Sequence, residues 1–386
     1  MKKKKKDIYK GFEQGPIRPP SEANSLLIRL TRNCPWNHCT FCRVYKKGNF
    51  SLRSVENIIK DIDFLHAYTE KIKALVKPGM HAGREIMNTI YKSFEENDRV
   101  ALSAAMNWYL SGMKSIFLQD ANSLIMKPDD LVFVLEHLKK CFPDVERITS
   151  YARSHTIVRI KQEDLQRMAD AGLNRIHIGM ESGSDIVLKK TRKGATKADH
   201  IKAGLKVKQA GMELSEYVMP GLGGIEYSIE HAMETASALN SINPDFIRIR
   251  TLAVTNGTAL ALEAKTGEFE KPTDVMMAKE LRLFIESLDG IDSTIKSDHI
   301  LNLFETINGK LPEDKEKMIE IIDYFFDLEP EKRVLYQMGR RMGFFRGPHD
   351  MDNSLHIERV KQACEQYGVT PQNVDSVIDE LMKRFV

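Results

Sequence analysis

Three cysteines fall within one short loop, Cys34-Pro35-Trp36-Asn37-His38-Cys39-Thr40-Phe41-Cys42, a C-x4-C-x2-C spacing. The run before them, Ser25-Leu26-Leu27-Ile28-Arg29-Leu30-Thr31, reads as a strand. Closely spaced cysteines in a reduced compartment are more often metal ligands than disulfides. The chain has five cysteines in all, and the other two, Cys141 and Cys364, lie far apart. An odd count with no paired framework argues against a secreted disulfide scaffold, and two spare thiols are too few for a second cluster. Three thiolates suit a [4Fe–4S] cube whose fourth iron stays open to a substrate or cofactor. Two other readings use the same residues. His38 with Cys34, Cys39 and Cys42 would make a structural zinc site in a protein- or nucleic-acid-binding module. A non-catalytic iron–sulfur electron carrier would need the cluster alone.

The formal net charge is only +3 over 386 residues, less than the five-lysine run at residues 2–6 supplies by itself. The remainder is near neutral, so no broad nucleic-acid surface is expected, and the lysine run reads as a solvated tail. A small-molecule substrate is expected ahead of a macromolecule. No apolar stretch reaches the roughly 18 residues of a membrane span, and no apolar run follows the lysines as in a secretory signal. A cytoplasmic location, with no membrane partner, is the expectation.

Residues 1–24 read as a polar lead-in broken by Pro16, Pro19 and Pro20. From residue 25 a beat of strand, loop and amphipathic helix begins. Strands are expected at 26–31, 115–118, 147–151, 175–179, 213–219 and 246–252, with helices at 55–65, 128–141, 161–171, 197–210 and 228–242. Alternating strands and helices argue for a parallel sheet with right-handed crossovers. Gly172 and Gly211 each stand between a helical run and a strand, as helix stops do. After residue 252 the pattern turns helical, clearest at 281–288, 315–326, 355–367 and 371–385. The fold class expected is α/β: a partial (β/α)6 TIM-like barrel over 25–270, with an inserted helical segment at about 71–112 and a helical C-terminal region over 271–386. The insertion exceeds what one crossover needs and reads as surface helices or as a lid.

In parallel α/β folds the chemistry lies at the C-terminal strand ends. The cysteines follow the first strand. Behind the others come Gln119-Asp120-Ala121-Asn122, Tyr151-Ala152-Arg153-Ser154-His155, Met180-Glu181-Ser182-Gly183-Ser184 and Pro220-Gly221-Leu222-Gly223-Gly224. Taken singly each is a turn or a cap; their joint placement at one end with the thiols points to a site. Arg248 and Arg250 alternate in the sixth strand, and if they face inward the substrate carries phosphate or carboxylate. Tyr217 and His155 are the hydrogen-donor or acid–base candidates, each with ordinary packing as the alternative.

Together these residues resemble the radical S-adenosylmethionine (radical SAM) superfamily, from about Ser25 to Gly267. The likeness covers the cysteine loop with Phe41 before the third cysteine, Ile176-His177-Ile178-Gly179-Met180-Glu181-Ser182-Gly183-Ser184, residues 211–224, and Leu252 through Gly257-Thr258-Ala259-Leu260. The last three stretches are similar to the branch that includes anaerobic coproporphyrinogen oxidases and tRNA methylthiotransferases. The resemblance implies that Cys34, Cys39 and Cys42 ligate a [4Fe–4S] cluster and that the open iron binds the methionine end of S-adenosylmethionine. It implies one-electron cleavage to a 5′-deoxyadenosyl radical, hydrogen abstraction from a substrate, and a flavodoxin or ferredoxin as electron donor. It places Phe41, Met219 and Gly221 near adenine, Glu181 and Ser182 at the ribose or methionine, and Arg153 at the methionine carboxylate. Gln119, Asp120 and Asn122 stand where the family commonly has Gly-Gly-Glu for the amino group. That triplet is absent here, with Asp120 or Asn122 as the substitute acceptor, and the first cysteine spacer is one residue longer than the family's usual three.

Overall fold

The computed structural model describes residues 7–46, 48–76 and 99–382. The lysine run, residues 77–98 of the insertion and the end of the last expected helix lie outside them. The chain divides into two compact units: residues 1–37, 44–177 and 206–213, and residues 38–43, 178–205 and 214–386.

The first unit is built on strands β1 (Leu26–Arg29), β4 (Ser115–Gln119), β5 (Arg147–Ala152) and the start of β6 (Leu173–Glu181), in that order. β1 and β4 run parallel from Leu26↔Ile116 to Arg29↔Gln119, and β4 and β5 run parallel from Ser115↔Arg147 to Leu118↔Ser150. Every residue of β4 is buried, which is why its sequence shows no polar alternation. A small antiparallel pair, β2 (Thr31–Arg32) and β3 (Ser51–Leu52), opens and closes the cysteine-bearing excursion.

Helix Val55–Leu75 begins where the Ser54 hydroxyl accepts the Asn57 N–H. Its Ile58, Ile62, Leu65 and Ile72 fall on one face at helical spacing and are fully buried, each worth about 1.5–3 kcal/mol in removed apolar surface. Helices Arg99–Leu110 and Pro128–Cys141 pack against it. The first of these carries Trp108, whose indole N–H donates to the Ser115 carbonyl at 2.8 Å. The described flanks of the expected insertion are thus helical and packed on the unit's own core.

The lead-in is not a loose leader. Tyr9 donates to Asp61, the Asn57 amide donates to both the Asp7 carbonyl and its carboxylate, and Gly15 N–H donates to the Gln119 amide oxygen at 2.8 Å. A short 3-10 turn, Pro20–Glu22, ends in a fully buried Glu22.

The second unit holds the end of β6, then β7 (Glu213–Val218), β8 (Phe246–Ile249), β9 (Thr294–Lys296) and β10 (Asn308–Lys310). β7, β8 and β9 are parallel neighbours and β10 is antiparallel to β9. The sequence reading expected only helices past residue 271. β9 and β10 extend the sheet there, and three-residue strands among Ser and Asp are too short to show a period of two. The expected helices appear as Asp274–Glu286, Lys315–Asp327, Ser354–Gln366 and Val374–Met382, joined by Pro330–Arg341. Their core stacks Phe304, Phe325, Tyr336 and Phe345, and a buried Arg341–Asp274 pair at 2.9 Å ties two of the helices. Gly172 and Gly211 adopt φ of +108° and +75° at helix exits, a region open to glycine at little cost.

Candidate functional site

In the first unit the residues past β1, β4 and β5 form a polar network that leaves one buried oxygen, Asp120 Oδ1, without a hydrogen bond among the described residues. Asp120 is buried, and its Oδ2 accepts from Arg29 at 2.7 Å and from Asn33 N–H at 2.8 Å. Burial pushes its carboxyl above the usual range despite Arg29. Its other oxygen lies against Gly15, where a Cβ would sit 1.7 Å away. Glu13 bridges Arg29, Arg32 and Arg53. Burial alone would raise Glu13; the hydrogen bond from Arg32 and the charges of Arg53, Arg32 and Arg29 outweigh it and hold the carboxyl low.

Gln119 gives its amide to the lead-in, accepting from Gly15 and donating to the Ile17 carbonyl at 2.6 Å. Asn122 accepts Arg153 N–H at 3.1 Å and donates to Thr156 at 2.8 Å. Arg153 lays its guanidinium over the Trp36 ring of the cysteine loop, 5.1 Å from the centroid. His155 is half-buried in the short helix Ser154–Ile157. Gln119, Asp120 and Asn122 therefore each hold hydrogen bonds within the unit, and Arg153 reaches the cysteine loop through Trp36. Cys34 is free and half-buried.

The second unit holds the rest of the loop. Thr40 N–H donates to the Thr191 carbonyl and the Thr40 carbonyl accepts Leu260 N–H, both at 3.0 Å. Phe41 packs on an apolar cluster of Val187, Met219, Leu222, Leu252 and Leu260. Cys39 and Cys42 are half-buried and in no disulfide. Two backbone clamps and an aromatic anchor thus fix the loop beside the segments leaving β7 and β8. His38, Cys39 and Cys42 do not gather three donor atoms within 4.8 Å; among the described residues that closeness belongs to Asp63, His137 and Cys141. A single zinc ion, with bonds of about 2.0–2.3 Å, needs such closeness.

A buried relay braces the same strand ends. His231 Nε2 lies 3.0 Å from the Met219 carbonyl, which only accepts, so Nε2 carries the proton. Nδ1 then accepts from the Ser182 hydroxyl at 2.8 Å, and Ser182 in turn accepts Ser184 N–H at 3.0 Å. Gly221 N–H donates to Glu280 at 2.7 Å, and its φ of +87° and the Met277 sulfur 2.8 Å from a built Cβ hold this position to glycine. Ser182 and Gly221 therefore position the strand ends.

Glu181 closes β6 with φ +66°, a conformation costing a bulky residue about 1–2 kcal/mol. Its Oε1 meets Lys193 Nζ at 3.2 Å in a mostly buried pair. Near them lies Glu216, fully buried, with neither carboxyl oxygen hydrogen-bonded among the described residues. Burial drives its carboxyl well above the usual range; Lys193 opposes this and Glu181 adds to it. Burial thus favours the protonated form of Glu216, the form that can donate a hydrogen bond. Sequence reasoning missed both Glu216 and Lys193. Glu216 sits between Ser215 and Tyr217 like any alternating strand residue, and Lys193 is one of many lysines.

Arg248 donates to Ser215 at 3.2 Å and to Asp298 at 2.8 Å. Arg250 is half-buried, and among the described residues no carboxylate pairs with it. Burial first, then the charges of Arg250 and Arg340, lower His299 to about 4, so His299 adds no charge at neutral pH. Tyr217 is half-buried opposite Arg248 in the β7–β8 register.

A family model described as the Radical SAM superfamily matches residues 87–236, a stretch that begins after the cysteine loop. The chain is similar to the tRNA uridine(34) acetyltransferase of Methanocaldococcus infernus, 29% identical over 110 residues, 28% of this chain and 21% of that protein. The Methanocaldococcus jannaschii enzyme of the same name is 27% identical over 128 residues, 33% and 24% of the respective lengths. The chain therefore spans under a quarter of the length of these curated relatives. Among solved structures, it is similar to archaeal Methanocaldococcus infernus Elp3, at 17% identity and TM-score 0.43 over 58% of each chain. It is also similar to coproporphyrinogen III oxidase (HemN) from Escherichia coli, at 12% identity and TM-score 0.43 over 68% of this chain and 51% of that one.

Proposed function

We propose that this chain, which belongs to the radical SAM superfamily, abstracts a hydrogen atom from an anionic substrate, using Cys34, Cys39 and Cys42 to hold its cluster. It is an enzyme, and its cofactors are a [4Fe–4S] cluster and S-adenosylmethionine. When bound, the two supply one-electron cleavage of the sulfonium and a hydrogen-abstracting adenosyl group. The observation that carries the reading is the clamped loop: Thr40 and Phe41 are fixed by Thr191, Leu260 and the Met219 cluster, in the unit that also carries Glu181, Lys193 and Glu216.

The donor set fits the cluster. All three cysteines are half-buried and in no disulfide, which leaves their sulfurs available as thiolate ligands and partly screened from water. The apolar wall of Phe41, Met219, Leu222 and Leu252 excludes water on the adenine side. Glu181 accepts hydroxyl protons of a ribose while Lys193 holds a carboxylate. Glu216 keeps its proton and offers it as a donor. Arg250 takes the substrate's phosphate or carboxylate. Flavodoxin or ferredoxin is the proposed electron source.

The likeness to two tRNA uridine(34) acetyltransferases favours a second reading of the substrate, an RNA whose phosphate would meet Arg250. Anaerobic protein with a full cluster, S-adenosylmethionine and dithionite should yield 5′-deoxyadenosine by mass spectrometry. A full cluster without that product would leave an electron carrier. Binding of unmodified tRNA in a gel shift, lost in Arg250→Ala, would select the RNA reading.

A further inference from the structure

Away from the strand ends, the first unit turns a carboxylate and a thiol onto one imidazole nitrogen. His137 and Cys141 stand four residues apart on helix Pro128–Cys141 and so share a face. Asp63 belongs to helix Val55–Leu75, which packs against it. The His137 Nε2 lies 2.7 Å from Asp63 Oδ1 and 3.5 Å from Cys141 Sγ, and all three donor atoms fall within 4.8 Å of one another. A neutral imidazole nitrogen offers either one N–H or one lone pair. As a donor to Asp63 it has no lone pair left for the thiol. As an acceptor from the thiol it turns its lone pair toward a carboxylate oxygen. A cation on the shared side satisfies all three at once.

We propose that Asp63, His137 and Cys141 form a binding site for a divalent transition ion of the zinc type, separate from the iron–sulfur cysteines. Bonds of about 2.0–2.3 Å to oxygen, nitrogen and sulfur put tetrahedral ligands about 3.2–3.7 Å apart. The 3.5 Å imidazole–thiol separation already has that value, and the carboxylate has to draw back by roughly half an ångström, which its 57% exposed side chain allows. On binding, the thiol proton passes to solvent and the imidazole binds as the neutral base. One sulfur with one nitrogen and one oxygen selects zinc over magnesium or calcium, and three protein ligands leave a fourth position for water.

The test uses the full chain with its cluster reconstituted, given one equivalent of zinc and passed through gel filtration anaerobically. Retained zinc and iron are measured by mass spectrometry, and the zinc surroundings by X-ray absorption. About one zinc per chain with a single sulfur neighbour is expected. Retention should fall roughly tenfold or more in His137→Ala and in the exposed variant Asp63→Asn, while iron stays constant. Zinc with three sulfur neighbours would place the ion on Cys34, Cys39 and Cys42 and overturn the proposal. Absence of retained zinc, or equal retention in both variants, overturns it as well. Circular dichroism of Asp63→Asn separates loss of ligand from loss of fold. Iron content and 5′-deoxyadenosine yield report separately on the radical reading.

Discussion

The polar residues past the strand ends behave oppositely in the two units. In the first, Arg29, Asp120, Glu13, Arg32, Arg53 and Asp61 pair off, down to an Arg53–Asp61 contact of 2.5 Å with both side chains buried. In the second, Glu216 is buried and, among the described residues, makes no hydrogen bond, and Arg250 stands without a carboxylate. Buried polar groups normally find partners, and exceptions concentrate where a ligand supplies them. The first set holds the fold and leaves one such exception, Asp120 Oδ1; the second leaves Glu216 and Arg250 open to a ligand, and the sequence reading expected cofactor contacts in both.

The largest effect that could break this contrast comes from the cysteines. Cys34→Ala, Cys39→Ala and Cys42→Ala should each lose the cluster iron and all 5′-deoxyadenosine formation, whereas Cys141→Ala keeps both; iron analysis with visible absorption decides. Next, Arg53→Ala leaves Asp61 buried and uncompensated, which should cost about 3–5 kcal/mol in urea unfolding. A small change there would show that the first unit's pairs are not structural. In the second unit, Arg250→Ala should leave stability within about 0.5 kcal/mol yet weaken substrate binding about ten- to hundredfold, the worth of a charge-assisted hydrogen bond. Arg248→Ala should instead destabilise, because Arg248 is engaged with Ser215 and Asp298. An Arg250→Ala variant that unfolds while Arg248→Ala does not would reverse the assignment.

The smallest effect is a pH slope. The folded carboxyl of Glu216 titrates above its unfolded value. Between the two values the native state binds more protons than the unfolded state, so stability falls as pH rises through that window. Glu216→Gln removes the term. It should be more stable than the parent at neutral pH, with the difference vanishing in acid. Melting curves across pH that stay parallel would show Glu216 to be already partnered.

The strands and helices that place the site were legible because apolar runs and helical spacing are local properties. So were Phe41 and Met219, which meet in one apolar cluster. The division of labour among polar residues was not. Gln119 and Asn122 read as cofactor contacts from their place after a strand; that they also hold a lead-in residue, Gly15, and a backbone amide, that of Arg153, was not legible. Glu216 was silent because nothing in Ser215-Glu216-Tyr217 distinguishes a buried carboxyl from an exposed one. Partner choice across 30 to 100 positions is a tertiary fact that periodicity does not encode.

The lead-in has a further consequence. Because Glu13 answers three guanidinium groups and Gly15 leaves no space before Asp120, a version trimmed to start at β1 would take both carboxylates, Asp7 and Glu13, from Arg32, and would leave Arg29 and Arg53 with Asp120 and Asp61 alone. Such a product would be predicted to swell at low ionic strength and recover partly with added salt or a carboxylate-bearing peptide. The opening stretch thus behaves as a counter-ion written into the chain.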